Sequence, residues 1–150
     1  MDAARVVAFS LAAGIAATSG ARPLGEPDSA FIARTLSTSP MSPGSRVNAR
    51  VTNCSLLIDE AVPLERKRLV IPLARLDERS FAVVQDTEWG WFVEVHTQQR
   101  RAEIDSPPQK RSDRLSEVYL HVYDQKNAER VRDALARVVR SCRHRAQPKT

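Results

Sequence analysis

Residues 124–143 read DQKNAERVRDALARVVRSCR, and this stretch decides the fold. Ala128, Val131, Leu135, Val138, Val139 and Cys142 recur at steps of three and four, the period of a helix with one apolar stripe. At about 100° per residue they share one arc of roughly 140°. Glu129, Arg130, Asp133, Arg137, Arg140 and Arg143 fall on the opposite side. Asp124 is placed to cap the first turn with its carboxylate, and Pro148 bars continuation. Glu129 lies near the positive end of the helix macrodipole and Arg140, Arg143 and Arg145 near the negative end. Such a stripe needs an apolar face to cover, and the residues before it must supply that face.

Residues 47–123 read as successive strands. Val47, Ala49 and Val51 alternate with polar residues. At Thr52-Asn53 the parity shifts, to Cys54, Leu56 and Ile58, which marks a bulge or a turn. Arg68–Leu73 and Phe81–Gln85 are further apolar runs. Glu88-Trp89-Gly90 reads as a turn leading into a strand from Trp91 to Thr97, with Trp91, Val93 and Val95 on one face. Arg101–Asp105 is a candidate short strand, and Ser106–Arg114, with Pro107-Pro108, is a loop. Leu115–Tyr123 closes the series, with Val118, Leu120 and Val122 on one face and Tyr119, His121 and Tyr123 on the other. The expected fold is therefore α+β: a six- or seven-stranded antiparallel bent sheet or small barrel capped by one C-terminal amphipathic helix. A plain α+β sandwich is the runner-up.

In element order, alternating runs and the ALARVVRSC helix, residues 47–143 resemble the pleckstrin-homology-like superfold. There a seven-stranded bent sheet is closed by one C-terminal helix. The layout is also similar to small exported bacterial proteins that pair an early-strand Cys with a Cys near the end of that helix. The resemblance implies binding of anionic lipid headgroups or peptides, and Arg66, Lys67 and Arg68, with Arg50, are the nearest basic cluster to match. A fold of this kind does not by itself assign an activity.

The N-terminal part reads differently. Residues 1–21 resemble a signal peptide: Arg5, then the apolar run VVAFSLAAGIAA from Val6 to Ala17, then small residues to Ala21. That run is too short to span a bilayer comfortably, so no transmembrane span is expected in the mature chain. Residues 22–46, with Pro23, Pro27, Pro40 and Pro43 among Ser, Gly and Thr, read as a flexible linker. Within it, Ala30 to Ala33 with Leu36 could form one helical turn capped by Asp28 or Ser29. Residues 144–150 read as a disordered tail. The resulting expectation is a secreted or periplasmic protein.

Composition bounds the rest. At 150 residues one domain is the default, and 5% aromatic content means a core built from Val, Leu, Ile and Ala. The net charge of +5 rests on 19 Arg against only 4 Lys, which permits anionic partners. Two cysteines in an exported chain are most simply one bridge, Cys54–Cys142, closing an 88-residue separation.

The sequence shows no catalytic constellation, metal site, cofactor motif or phosphate loop. The reading is a non-enzymatic secreted or periplasmic binding domain whose partner is a protein or an anionic envelope component, with no nucleic acid expected. Trp89, Arg100 and Arg101 join Arg66, Lys67 and Arg68 as candidate binding residues. Two alternatives belong to other classes. One is a small metal-dependent or acid–base hydrolase using His96 and His121. The other is an assembly protein pairing through an edge strand.

Overall fold

The computed structural model describes residues 22–40, 44–106 and 114–147. The signal-like residues 1–21 and the basic pair Lys110-Arg111 lie outside them. The chain forms helix α1 (Asp28–Ser37), strands β1 (Arg46–Thr52), β2 (Ser55–Val62), β3 (Glu65–Pro72), β4 (Ala82–Asp86), β5 (Gly90–His96) and β6 (Glu117–Val122), and helix α2 (Gln125–Ala146).

The class is α+β, but the strands form two antiparallel sheets of three, β1-β2-β3 and β4-β5-β6, rather than one bent sheet. Residues 73–81 break the continuity with two short 3-10 turns, Leu73–Arg75 and Glu78–Ser80. A 3-10 turn spends its backbone groups on local i→i+3 bonds, so it has none left to extend a strand. Among the described residues, the backbone ladder between the sheets is reduced to isolated bridges. Asp105 pairs with Val70 of β3, Ile104 pairs with Leu115 ahead of β6, and Leu76 pairs with Thr97. The strand expected at 101–105 is thereby reduced to two bridging residues.

The β1–β2 connection is a two-residue turn at Asn53 and Cys54, both at positive φ (48° and 58°), closed by the Thr52–Ser55 pair. Two left-handed residues suit the right-handed twist of a hairpin. Cys54 thus sits in a turn, not on a strand as expected, and its sulfur bonds Cys142 on α2. The parity shift in the sequence is this turn. The β4–β5 turn is closed by Asp86, whose carboxylate accepts from the Glu88 and Trp89 N–H groups at 2.8 and 2.9 Å. Gly90 follows at φ 98°, a conformation that favours glycine.

Helix α2 is capped as expected, with the Asp124 carboxylate accepting from Asn127 N–H at 2.8 Å. It runs to Ala146, so residues 144–146 extend the helix instead of beginning a tail. Ala128, Val131, Ala134, Leu135, Val139 and Cys142 are buried. They join Leu56, Ile71, Val93, Val95, Leu120 and Val122 of the sheets in one core.

The largest departure is α1. Residues 28–37, read as part of a linker, form a helix whose Phe31, Ile32, Thr35 and Leu36 are buried in that same core. The prolines stand outside the helix: Pro27 occupies the N-cap and Pro40 follows the end, so neither interrupts it. Asp28 does not cap the helix. It accepts from Arg137 of α2 through both carboxylate oxygens, at 2.8 and 3.0 Å, and pairs with Arg22 at 2.9 Å.

The Arg137 hydrogen bond, more than that of Arg22, holds the Asp28 carboxyl below its ordinary value of 3.8 despite an opposing contribution from burial. A depressed folded value contributes stability that is complete above the unfolded value and is lost as pH falls through the folded one. Asp28→Asn should therefore cost about 1 kcal/mol at neutral pH, the upper range for a partly exposed pair. It should also remove part of the stability slope below about pH 4. Denaturant melts of both proteins across that range measure the difference, and parallel curves would show that the pair contributes nothing.

Candidate anionic-ligand face

Strand alternation sends odd and even residues of the first sheet to opposite sides. The register pairs Ala49 with Ile58 and Ile58 with Leu69, and pairs Val51 with Leu56 and Leu56 with Ile71, so these residues share the core side. On the other side stand Arg46, Asn48 and Arg50 of β1, Leu57, Asp59 and Ala61 of β2, and Arg66, Arg68 and Val70 of β3. This outer face carries four arginines against one aspartate, and all four arginines are exposed.

Asp59 takes up part of that charge. It binds Arg68 at 2.5 Å and approaches Arg50 at 3.9 Å. Arg46, Arg66 and Lys67 pair with no carboxylate among the described residues. Lys67 points to the opposite side from Arg66 and Arg68, beside Glu60. Past the last core rung the sheet is open on both sides, and a groove of about 670 Å³ lies against Arg46, Asp59, Glu60, Arg66, Lys67 and Arg68. That volume is within the range of small-ligand sites. Its charged lining is four cations and two carboxylates, which favours an anion.

Of the run at 66–68 singled out in the sequence, Arg66 and Arg68 share a face with Arg50, and Lys67 stands on the other side. Arg46 was missed. Its signal was alternation with Asn48 and Arg50, visible only once β1 is known to begin at Arg46 rather than Val47.

The other candidate residues go elsewhere. Arg100 stays exposed but is engaged on the second sheet: its guanidinium contacts Nδ1 of His96 at 2.5 Å and Glu117 at 3.1 Å. Gln99 and Arg100 both adopt positive φ (54° and 53°) in the turn that delivers it. Arg101 is exposed and Trp89 is 44% exposed. Arg137, Arg140 and Arg143, the helical arginines read as free surface charge, tie α2 to Asp28, to Glu78 and to the Leu76 carbonyl respectively.

His96 and His121 lie on the outer face of the second sheet. His121 is opposite Phe92 and His96 opposite Glu117, so the two histidines are four residues apart along the ladder, about 13 Å. One metal ion holds imidazole nitrogens at about 2 Å, so the pair cannot share it. His96 is buried at 3% exposure, not solvated. A guanidinium can only donate, so His96 accepts at Nδ1 and its Nε2–H donates to Glu94 at 2.6 Å.

Glu94, His96 and Glu117 bring ligand atoms within 4.8 Å of one another. The carboxylates, however, flank opposite ring nitrogens, and Arg100 contacts both Nδ1 and Glu117, which lie 3.3 Å apart. The cluster is satisfied as an ion-pair network. Its charge reaches Tyr119, whose hydroxyl is 3.5 Å from Glu94, and that carboxylate pushes the phenol up from its ordinary value. The His121 ring lies between the segment after α1 and the β4–β5 turn, with Nδ1 2.9 Å from the Ser39 carbonyl oxygen and Nε2 2.6 Å from that of Trp89.

Among the described residues no helix is long and apolar enough to cross a membrane. Comparison with known proteins finds no protein-family model, no curated protein and no solved structure that matches this chain.

Proposed function

We propose that this chain is a non-enzymatic secreted or periplasmic binding domain of pleckstrin-homology-like layout, which takes an anionic partner on the outer arginine face of its first sheet. One observation carries the reading: among the described residues Arg46, Arg66 and Lys67 stand without a carboxylate partner around an open groove, whereas Arg100, Arg137, Arg140 and Arg143 are each tied to a carboxylate or a carbonyl. Charges that stabilise a fold are paired within it, so unpaired cations concentrated at one place are available to a ligand. The Cys54–Cys142 bond supports placement in an oxidising compartment.

The test is binding to dextran sulfate, a soluble polyanion, as salt is raised. Replacing Arg46, Arg66 and Lys67 together by Gln should weaken binding about 100-fold, at roughly 1 kcal/mol per cation near an anionic surface. The melting temperature should stay near that of the parent, because no described carboxylate loses its partner. Equal binding by parent and variant, or binding indifferent to salt, would remove this face as the site.

A further inference from the structure

We infer that the outer face of the second sheet holds a soluble quaternary ammonium compound of the choline type, in the corner between Phe92 and Tyr119 beside Glu94. This goes beyond the arginine-face reading, since it concerns the other sheet and a ligand of the opposite charge.

The register sets two rungs next to each other on that face, Val84–Phe92–His121 and Ala82–Glu94–Tyr119. The Phe92 and Tyr119 rings stand 6.4 Å apart at 86°. The row continues with His121, 5.2 Å from Phe92, and with Tyr123, which meets His121 at 84°. Phe92 is half-buried, while Tyr119 is 51% and Tyr123 59% exposed, so the row opens to solvent. A ring face carries negative electrostatic potential, and two rings at a right angle offer a cation both faces at once.

The charges around this corner favour a cation. Glu94 stands on the Tyr119 rung, and Glu117 follows on the next, opposite His96. Glu94 foremost, then burial and Glu117, push the Tyr119 phenol up against an opposing effect of Arg100, so the field at the ring is negative. Both carboxylates are already engaged. Glu94 Oε1 accepts from His96 Nε2–H at 2.6 Å and lies 3.5 Å from the Tyr119 hydroxyl, and Glu117 Oε2 accepts from Arg100 at 3.1 Å. Their contribution to a ligand is chiefly charge. A primary ammonium or a metal ion is strongly hydrated, and aromatic faces do not replace the water it gives up. A trimethylammonium has no N–H to satisfy, and its methyl groups pack on the rings, so it loses least on leaving water.

The test titrates the disulfide-bonded chain with choline and with dimethylbutanol, the neutral isostere that has carbon in place of the ammonium nitrogen, and follows the aromatic ring protons by NMR. Choline should bind in the millimolar range and shift the Phe92 and Tyr119 signals, and the isostere should bind at least about tenfold more weakly. Tyr119→Ala should weaken choline binding about tenfold, whereas Tyr119→Phe, which keeps the ring, should stay within about twofold of the parent. Glu94→Gln, whose amide oxygen still accepts from His96, should weaken it about threefold. Tyr119 is half-exposed, so an unchanged melting temperature is expected for both of its variants and separates a lost contact from a lost fold. If choline does not bind in the millimolar range, or the isostere binds as tightly, or Tyr119→Ala binds choline as the parent does, the inference fails. None of these results bears on the arginine face, which dextran sulfate tests separately.

Discussion

Replacing both cysteines, Cys54→Ala with Cys142→Ala, is expected to lower stability by about 4–5 kcal/mol, a fall of roughly 15 °C in melting temperature. The magnitude follows from the sequence separation of 88 residues that the bond closes. Cross-linking such distant positions removes conformations from the unfolded chain, and the loss grows with the logarithm of the loop. A domain of this size holds only about 5–15 kcal/mol in total. The bond also acts at a particular place. It joins the β1–β2 turn to the last turns of α2, where Cys54 is held at positive φ and Cys142 is 4% exposed. The parent protein treated with reductant should approach the variant's melting temperature, while the variant itself should not respond. A variant within about 1 kcal/mol of the parent would falsify the account.

Phe31→Ala is the second large effect, with an expected loss of about 3–5 kcal/mol. Phe31 is the largest side chain that α1 contributes to the core and is 1% exposed. Its ring is further covered by the guanidinium groups of Arg22 and Arg34, at 5.2 and 5.6 Å from the centroid. Arg34 is in turn fixed by both oxygens of Glu26, each at 3.0 Å, a contact that holds the Glu26 carboxyl below its usual value. Truncating the ring leaves a cavity between α1, α2 and β1 and takes the cations' support away. Denaturant unfolding measures the change. A loss below about 1 kcal/mol would mean that α1 is an ornament on a domain complete without it.

The two predictions test opposite kinds of knowledge. The bond was legible because it needed only two cysteines, a helical period that placed one on the apolar stripe, and an export-like leader. Helix α1 was legible only as a single turn within a linker, not as a ten-residue helix docked in the core. Its ten residues contain only a few large apolar side chains, set in a Pro- and Ser-rich surround whose composition is that of a linker. Local sequence cannot say that a groove between β1 and α2 awaits Phe31, Ile32 and Leu36, because residues far along the chain build that groove.

The same division runs through the candidate site. Basic residues at 66–68 were visible as a run, but their facing was not. A strand displays alternate residues on alternate sides, so the register against β2 decides that Arg66 and Arg68 join Arg46 and Arg50 while Lys67 turns away. The arginines of α2 showed the reverse. From the sequence they form an exposed basic stripe, and in the structure Arg137, Arg140 and Arg143 are spent on Asp28, Glu78 and the Leu76 carbonyl. His96 looked like a solvated sheet-face residue and proved buried, because the Gln98–Arg100 turn folds Arg100 back across it.

From residue order alone came the capped amphipathic helix, the β4–β5 hairpin and the pairing of the two sulfurs, since each depends on periodicity or on counting along the chain. The division into two sheets, the docking of α1 and the separation of unpaired from paired arginines came only from tertiary packing. Those are relations between residues tens of positions apart, and the free energy that selects them arises only when the distant surfaces meet.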